Sequence, residues 1–401
     1  MDSTILIRDN IYWVGTNDRE TDLFEGIWPL PQGVAYNAYL ILDRKTVLID
    51  TVKKTNTSDF LIKLKTLLGE HRKLDYLIIN HLEPDHSGSL KILKEAFPGL
   101  KLIGNKKTAE FLSHLYHIND QVQVIQDGET LELGEHKLCF FLAPMVHWPE
   151  TMVTYEQKNK ILFSCDAFGG FAALDSGIFD DQINIDSGEG EMLRYYSNIV
   201  GKYSVMVQKA LAKLKDLDIK IIAPSHGPIW RSNPQTVLNR YDRWSKYEAE
   251  PGVMLAFGSM YGNTNKLMEA VCEGLGKEGI KQLVIHDVSR SHHSYILRDA
   301  WRYKAFLLGA PAYDTKLYPP MANLIDLFER KTLKNRLVGI FGSYGWSGGG
   351  VSTLSDFLKR VNWELIEPIV EVRFSPTQSD LEKGILLGQN MAKAIASSDI
   401  P

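Results

Sequence analysis

Short runs of apolar and β-branched residues, each closed by Gly, Pro, Asn or Asp, recur through the first half of the chain: Tyr39–Leu42, Val47–Asp50, Tyr76–Asn80, Lys101–Gly104, Lys137–Leu142, Ile161–Asp166 and Ile219–Pro224. Runs of this length and composition predict strands. Between them, apolar residues return at three- and four-residue intervals in Asp59–Leu68, Leu90–Ala96, Lys107–Tyr116 and the long Glu191–Leu214, the mark of helices with one buried face. The pattern predicts a layered α/β unit with His, Asp and Gly collected at strand ends.

A charged stretch ending in Pro-Gly, Lys246 to Gly252, then predicts a linker and a boundary near Pro251, with domains 1–250 and 251–401. Beyond it the order becomes strict alternation: strand Val253–Phe257, helix Lys266–Gly276, strand Gln282–Val288, helix Tyr295–Ala300, strand Ala305–Leu308, helix Pro320–Glu329, strand Leu337–Phe341, helix Ser352–Val361. Such alternation over about 150 residues predicts a doubly wound parallel sheet.

Composition narrows the function classes. With 45 Lys+Arg against 49 Asp+Glu, a formal charge of -4 and no basic run, the chain has no electrostatic footprint for nucleic acid. Charges break up the first 25 residues, and no apolar window approaches a membrane span, so neither a signal peptide nor a membrane segment is expected and the cytoplasm is. The cysteines, Cys139, Cys165 and Cys272, form no Cys-x-x-Cys pair, which excludes a disulfide framework and a rubredoxin-type or zinc-ribbon site. They read as small buried core residues in a reducing compartment.

Chemistry concentrates in Asn80-His81-Leu82-Glu83-Pro84-Asp85-His86-Ser87-Gly88, where four potential ligands fall within six residues directly after an apolar run. Pro84 argues against a helix, and a tight loop would splay His81 and Glu83 to one side and Asp85 and His86 to the other, an arrangement suited to two metal ions. A polar surface turn would account for this loop alone, but three distant residues, His147, Asp166 and His226, also stand at strand ends. His71, His114, His117, His136, His286, His292 and His293 have no ligand-like context and read as surface or helix-face residues.

The His-x-Glu-x-Asp-His loop, the later His, the Asp and the final Ser225-His226-Gly227 resemble the metallo-β-lactamase fold. Hydrolases of that fold usually show His at the position of Glu83, and a carboxylate there hardens the site toward iron or manganese. His81-Leu82-Glu83-Pro84-Asp85-His86-Ser87-Gly88-Ser89-Leu90 resembles the flavodiiron proteins more narrowly. The resemblance implies an α/β architecture, a metallo-β-lactamase-like αββα sandwich followed by a flavodoxin-like doubly wound parallel sheet. It implies two non-haem irons per chain, one on His81, Glu83 and His147, the other on Asp85, His86 and His226, with Asp166 bridging. It also places aromatic residues around the pocket at Trp148, Tyr195 and Tyr196, for which plain core packing is the better reading.

After Val253–Phe257 comes Gly258-Ser259-Met260-Tyr261-Gly262-Asn263-Thr264 and then a helix, a phosphate cradle at a helix N-terminus. Neither the Walker pattern nor the dinucleotide fingerprint fits, which leaves a mononucleotide phosphate. Gly309-Ala310-Pro311-Ala312-Tyr313-Asp314 and Gly342-Ser343-Tyr344-Gly345-Trp346-Ser347-Gly348-Gly349 follow later strands of the same sheet, so Tyr313 and Trp346 can flank a planar ring. The trio resembles flavodoxin, which implies one FMN per chain, its phosphate on Ser259 to Thr264 and its ring between the other two loops.

The resemblance to flavodiiron proteins implies four-electron reduction of O2 to water, reduction of NO to N2O, or both. No cysteine-rich or reductase extension is present before Pro401, so a separate electron donor such as rubredoxin, a reductase or a reduced deazaflavin is expected. A head-to-tail homodimer or a dimer of dimers, with the Trp346 loop at the junction, is implied as well. Glu25, in Phe24-Glu25-Gly26, stands where relatives often have His, and reads equally as a proton-delivery group and as a surface carboxylate. Two other classes stay open: a zinc hydrolase with a degenerate flavodoxin domain, separated by metal content, and a non-enzymatic flavin carrier, separated by turnover.

Overall fold

The computed structural model describes residues 4–119 and 121–398, those at 185–187 by their backbone alone. The chain divides into two compact units, one up to Asp242 and one from Arg243.

The first unit is built on two facing sheets. One runs in the order Ile5–Arg8, Ile11–Trp13, Tyr39–Ile41, Val47–Ile49, Tyr76–Ile78, Lys101–Gly104, Val122–Val124, antiparallel as far as Val47–Ile49 and parallel beyond. The other runs Thr130–Glu132, Lys137–Leu142, Met152–Glu156, Ile161–Cys165, Ile221–Pro224, with only the last pair parallel. Side chains alternating along strands interdigitate between the sheets: Tyr39, Ile41, Val47, Ile49 and Ile78 from one meet Leu138, Phe140, Ile161, Phe163 and Ile221 from the other. Strands Tyr39–Ile41 and Val47–Ile49 are buried at every position, which is why they read as unbroken apolar runs.

Three sequence expectations change here. Pro84 opens a helical turn, Pro84–Ser87, because the first helical position needs no N–H donor and suits the fixed φ of proline. The segment expected as one helix over Glu191–Leu214 is α-helical over Ile185–Tyr195, π-helical over Tyr196–Val200, 3-10 over Gly201–Tyr203 and α-helical again over Ser204–Leu214. His136 and His286 are buried rather than on a surface, each against a carboxylate, Glu156 at 3.1 Å and Asp299 at 2.8 Å.

In the second unit, Leu283–Asp287, Glu250–Phe257, Tyr303–Tyr313 and Leu337–Tyr344 pair in parallel in that order, and Glu364–Leu365 and Val370–Arg373 both add to Leu337–Tyr344. By chain order this is 2-1-3-4-5, whose switch point lies between the first and third strands. A final helix, Gln378–Ser397, packs on Asn263–Lys277 so closely that a Cβ on Gly388 would stand 2.2 Å from the Val271 carbonyl oxygen. The stretch read as a linker is pinned to this unit. Trp301 Nε1 donates to Trp244 O at 3.2 Å, and the buried Arg336 guanidinium donates to Tyr247 O at 3.1 Å and Trp301 O at 3.0 Å. Among the described residues no helix is long and apolar enough to cross a membrane.

Candidate functional site

His81 follows the buried strand Tyr76–Ile78 by three residues, and the loop carrying it is held from beneath. Asp50 accepts hydrogen bonds from Asn80 N at 2.8 Å and Asn80 Nδ2 at 3.1 Å, and Ser87 Oγ donates to Leu82 O at 2.7 Å or Glu83 O at 2.8 Å. Thr51 Oγ1 donates to His86 O at 2.6 Å. These bonds make a rigid turn of Asn80–Gly88 and aim its four polar side chains at one point.

The three distant residues meet them there. His147 Nε2 lies 3.0 Å from Glu83 Oε2 and 3.2 Å from Asp166 Oδ2, and His81 Nε2 lies 3.3 Å and 3.4 Å from the same two oxygens. On the other side, His86 Nε2 is 2.8 Å and His226 Nε2 3.6 Å from Asp166 Oδ1, and they are 3.5 Å and 3.3 Å from the two oxygens of Asp85. Two clusters result, His81–Glu83–His147–Asp166 and Asp85–His86–His226, each with its ligand atoms mutually within 4.8 Å. The oxygens of Asp166 divide between them.

The donor set fits paired cations. Both oxygens of Asp85 and of Asp166, both ring nitrogens of His86 and Nε2 of His226 are buried without a hydrogen-bond partner, which buried polar atoms avoid unless something else satisfies them. The 2.8 Å approach of His86 to Asp166 lacks hydrogen-bond alignment. Lone pairs facing one another at this range call for positive charge between them. The acid–base chemistry agrees: burial lowers the histidines, but surrounding carboxylates, Asp166 first, push His81 up to about 10. Burial raises Asp166, yet His86, His147 and His81 hold its carboxyl well below the usual range.

Aromatic rings wall the cluster. Trp148 stands edge-on to His81 at 5.0 Å between centroids, and Tyr195 tilts against His226 at 5.4 Å with its hydroxyl buried and unpartnered. Tyr196 points elsewhere, its hydroxyl 2.9 Å from Ser204 Oγ. Phe24 meets His226 edge-on at 5.4 Å. A cavity of about 540 Å³ opens onto Glu83 and Asp85, walled by Phe24, Glu25, Tyr36 and Tyr116. Glu25 is exposed at its rim, accepting a hydrogen bond from Trp28 Nε1 at 3.1 Å.

Sequence reasoning missed Glu150. Its Oε1 lies 2.7 Å from His81 Nδ1 and accepts from Leu82 N at 3.0 Å. Its only sequence signal was proximity to His147.

In the second unit, a cleft of about 210 Å³ lies at the carboxyl edge of the sheet. Ser259, Met260, Tyr261, Asn263 and Thr264 form one wall, Pro311, Ala312 and Asp314 a second, and Ser343, Tyr344, Gly345, Trp346 and Ser347 a third. Gly262, at φ 86°, turns the chain into the helix Asn263–Lys277 in a conformation that favours glycine. Of the expected residues, Gly262, Ala310, Tyr313 and Gly348 are not in the wall. Ala310 is buried in its strand, and Tyr313 turns its ring toward Tyr318 at 6.4 Å. Thr315 and Phe374 take places there instead, Phe374 from a loop that sequence reading had not reached.

Residues 34–227 match the family described as ODP family beta lactamase, and residues 255–388 match flavodoxin. A nitric oxide reductase of Moorella thermoacetica is 34% identical over 99% of this chain and 100% of its own. Rubredoxin oxygen:oxidoreductase from Desulfovibrio gigas superposes with a TM-score of 0.93 at 31% identity, covering 98% of this chain and 99% of that one. A variant of the flavo di-iron protein from Thermotoga maritima gives 0.89 at 30% identity, covering 98% of each chain. A ligand cluster in a β-lactamase-like unit followed by a flavodoxin unit defines a flavin-linked metalloprotein. The chain belongs to the flavodiiron proteins. It is an oxidoreductase whose cofactors are FMN, of the flavodoxin unit, and a diiron site.

Proposed function

We propose that this chain reduces O2 to water, NO to N2O, or both, at two irons held by His81, Glu83 and His147 on one side and Asp85, His86 and His226 on the other. Asp166 joins the two positions. The division of its oxygens between two otherwise separate ligand clusters supports a pair of metal ions, and Glu83 in place of a histidine favours iron over the zinc of a hydrolase. Iron and FMN, when bound, supply the one- and two-electron chemistry.

The chain's own residues do the rest. Glu83, Asp85 and Asp166 bring negative charge that matches two cations in a buried site. His226 donates from Nδ1 to Ala35 O at 2.8 Å, which leaves Nε2 free to face the pocket. Trp148, Phe24 and Tyr195 exclude water around the histidines, and the Tyr195 hydroxyl is buried without a partner while its ring packs on His226. Backbone N–H groups of the loop Ser259–Thr264 would hold the FMN phosphate, and Tyr344, Trp346 and Phe374, which line the same cleft, would offer apolar contact to its ring.

Electrons reach the chain from a separate donor, such as rubredoxin, a reductase or a reduced deazaflavin. The chain assembles head to tail as a homodimer or a dimer of dimers. Tyr261 at 90% and Trp346 at 85% exposure support this, because large aromatics at a cofactor rim gain from cover by a partner. A cytoplasmic setting fits three cysteines without disulfides.

The test is metal and flavin content of the purified chain, followed by anaerobic reduction and exposure to each gas. About two irons and one FMN per chain, with O2 or NO consumed, is the expected result. Zinc without flavin overturns the reading in favour of a hydrolase.

A further inference from the structure

We infer that Glu150 is a positioning residue that sets the order of metal binding: by holding His81 it makes the His81–Glu83–His147 position the tighter of the two, filled first and emptied last. The inference rests on the paired-metal reading proposed above.

Glu150 is 1% exposed and its Oε1 takes two bonds, from Leu82 N and from His81 Nδ1. An amide N–H can only donate, so this oxygen is an acceptor toward Leu82. Once an ion displaces the proton from Nε2, the remaining His81 proton sits on Nδ1 against Glu150, and the Nε2 lone pair faces the ion beside Glu83 and Asp166. Asn105 Nδ2 donates to the Glu150 carbonyl oxygen and anchors the carboxylate's own backbone. An imidazole tied to a carboxylate is both fixed in orientation and made a stronger donor to a cation, and charge-assisted bonds are about twice as strong as neutral ones.

Among the described residues, no carboxylate stands behind either histidine of the other position. His226 Nδ1 is held by a neutral backbone carbonyl, that of Ala35. His86, 1% exposed, has neither ring nitrogen in a hydrogen bond, so packing between His81 and His226 holds its ring and no charged group braces it from behind. One position is therefore built before the ion arrives. The other lacks a carboxylate behind either histidine, so its imidazoles are the weaker donors to a cation.

The test uses the full chain carrying FMN, stripped of metal and titrated anaerobically with Mn²⁺, free ion being counted by electron paramagnetic resonance. The wild type is expected to bind two ions in two steps at least about tenfold apart. Glu150→Gln is expected to weaken the tighter step by about ten- to a hundredfold, the usual cost of losing such a partner, and to leave two ions bound. His226→Ala, which removes a ligand from the other position, is expected to keep the tighter step, and it tests the order even if Glu150→Gln does not fold. To separate positioning from mere support, the Co²⁺ form is examined by proton NMR: the shifted, exchange-protected Nδ1–H signal of His81 should move or vanish in Glu150→Gln. Two equal steps in the wild type, loss of the tighter step in His226→Ala, or an unmoved N–H signal overturns this inference alone. Fewer than two ions bound by the wild type overturns the paired-metal reading and the inference with it.

Discussion

The hydroxyls of Thr264 and Ser343, 79 positions apart in the chain, lie 2.9 Å from each other. Both side chains are buried, and the bond ties the first turn of the helix Asn263–Lys277 to the third wall of the cleft. Two of the loops are thus locked together independently of any nucleotide. Ser343→Ala should lower FMN affinity about three- to tenfold, the equivalent of one ordinary hydrogen bond, in a fluorescence titration of the flavin-free chain. An unchanged Kd would mean that the pair serves the fold and not the cleft.

Asp166→Ala removes the carboxylate shared by both ligand clusters. Paired-metal binding should be lost, with affinity for the second ion down more than about a hundredfold, while FMN stays bound, because the cleft lies in the other unit. Elemental analysis beside flavin absorbance checks this. Loss of both cofactors would contradict the independence of the units.

Glu25 sits at the rim of the cavity over Glu83 and Asp85. If it carries protons inward, Glu25→Ala should shift the pH profile of gas consumption and reduce turnover by about tenfold or more, the lower range of general acid–base effects. A profile identical to the wild type would remove Glu25 from proton delivery and leave it a structural role such as its bond with Trp28.

The hydrogen bond to Glu156 raises His136 above its ordinary pKa of about 6.5, with burial opposing. A group whose folded pKa is raised binds more protons folded than unfolded, so its stabilisation is complete below about pH 6.5 and is lost as pH rises through the folded value. Glu156→Gln should therefore cost about 1.5–3 kcal/mol near pH 5.5, the range for a charge-assisted bond, and less at pH 8.5. Urea unfolding at the two pH values measures the difference. A cost that grows with pH would reverse the assignment.

What was legible in the sequence follows from where each signal resides. The central strands of the second unit are covered on both faces, and Val253–Phe257 declares itself as an apolar run. The seven residues of the two clusters were legible because they stand in loops that follow strands, the places where a layered fold gathers its polar side chains. Glu150 was not, for its meaning depends on His81, 69 positions away, and a Glu after Trp-Pro looks like any surface residue. Phe374 reaches the cleft wall only through the strand Val370–Arg373 beside Leu337–Tyr344, a pairing no local pattern announces. Pro84 misled because the same ring that breaks a helix interior is welcome at its first position.

The π-helical stretch Tyr196–Val200 has a consequence for the cluster. Its closing bond runs from Gly201 N–H back to Tyr196 O, five residues instead of four, so the chain gains one residue without gaining a turn. Neighbouring tyrosines are sent to different duties, Tyr195 against His226 and Tyr196 to Ser204 and Tyr241. The helix works as a gear with one extra tooth: removing a single residue between 196 and 200 would restore ordinary pitch, rotate everything on one side of the gap by about a quarter turn, and break the packing of Tyr195 on His226.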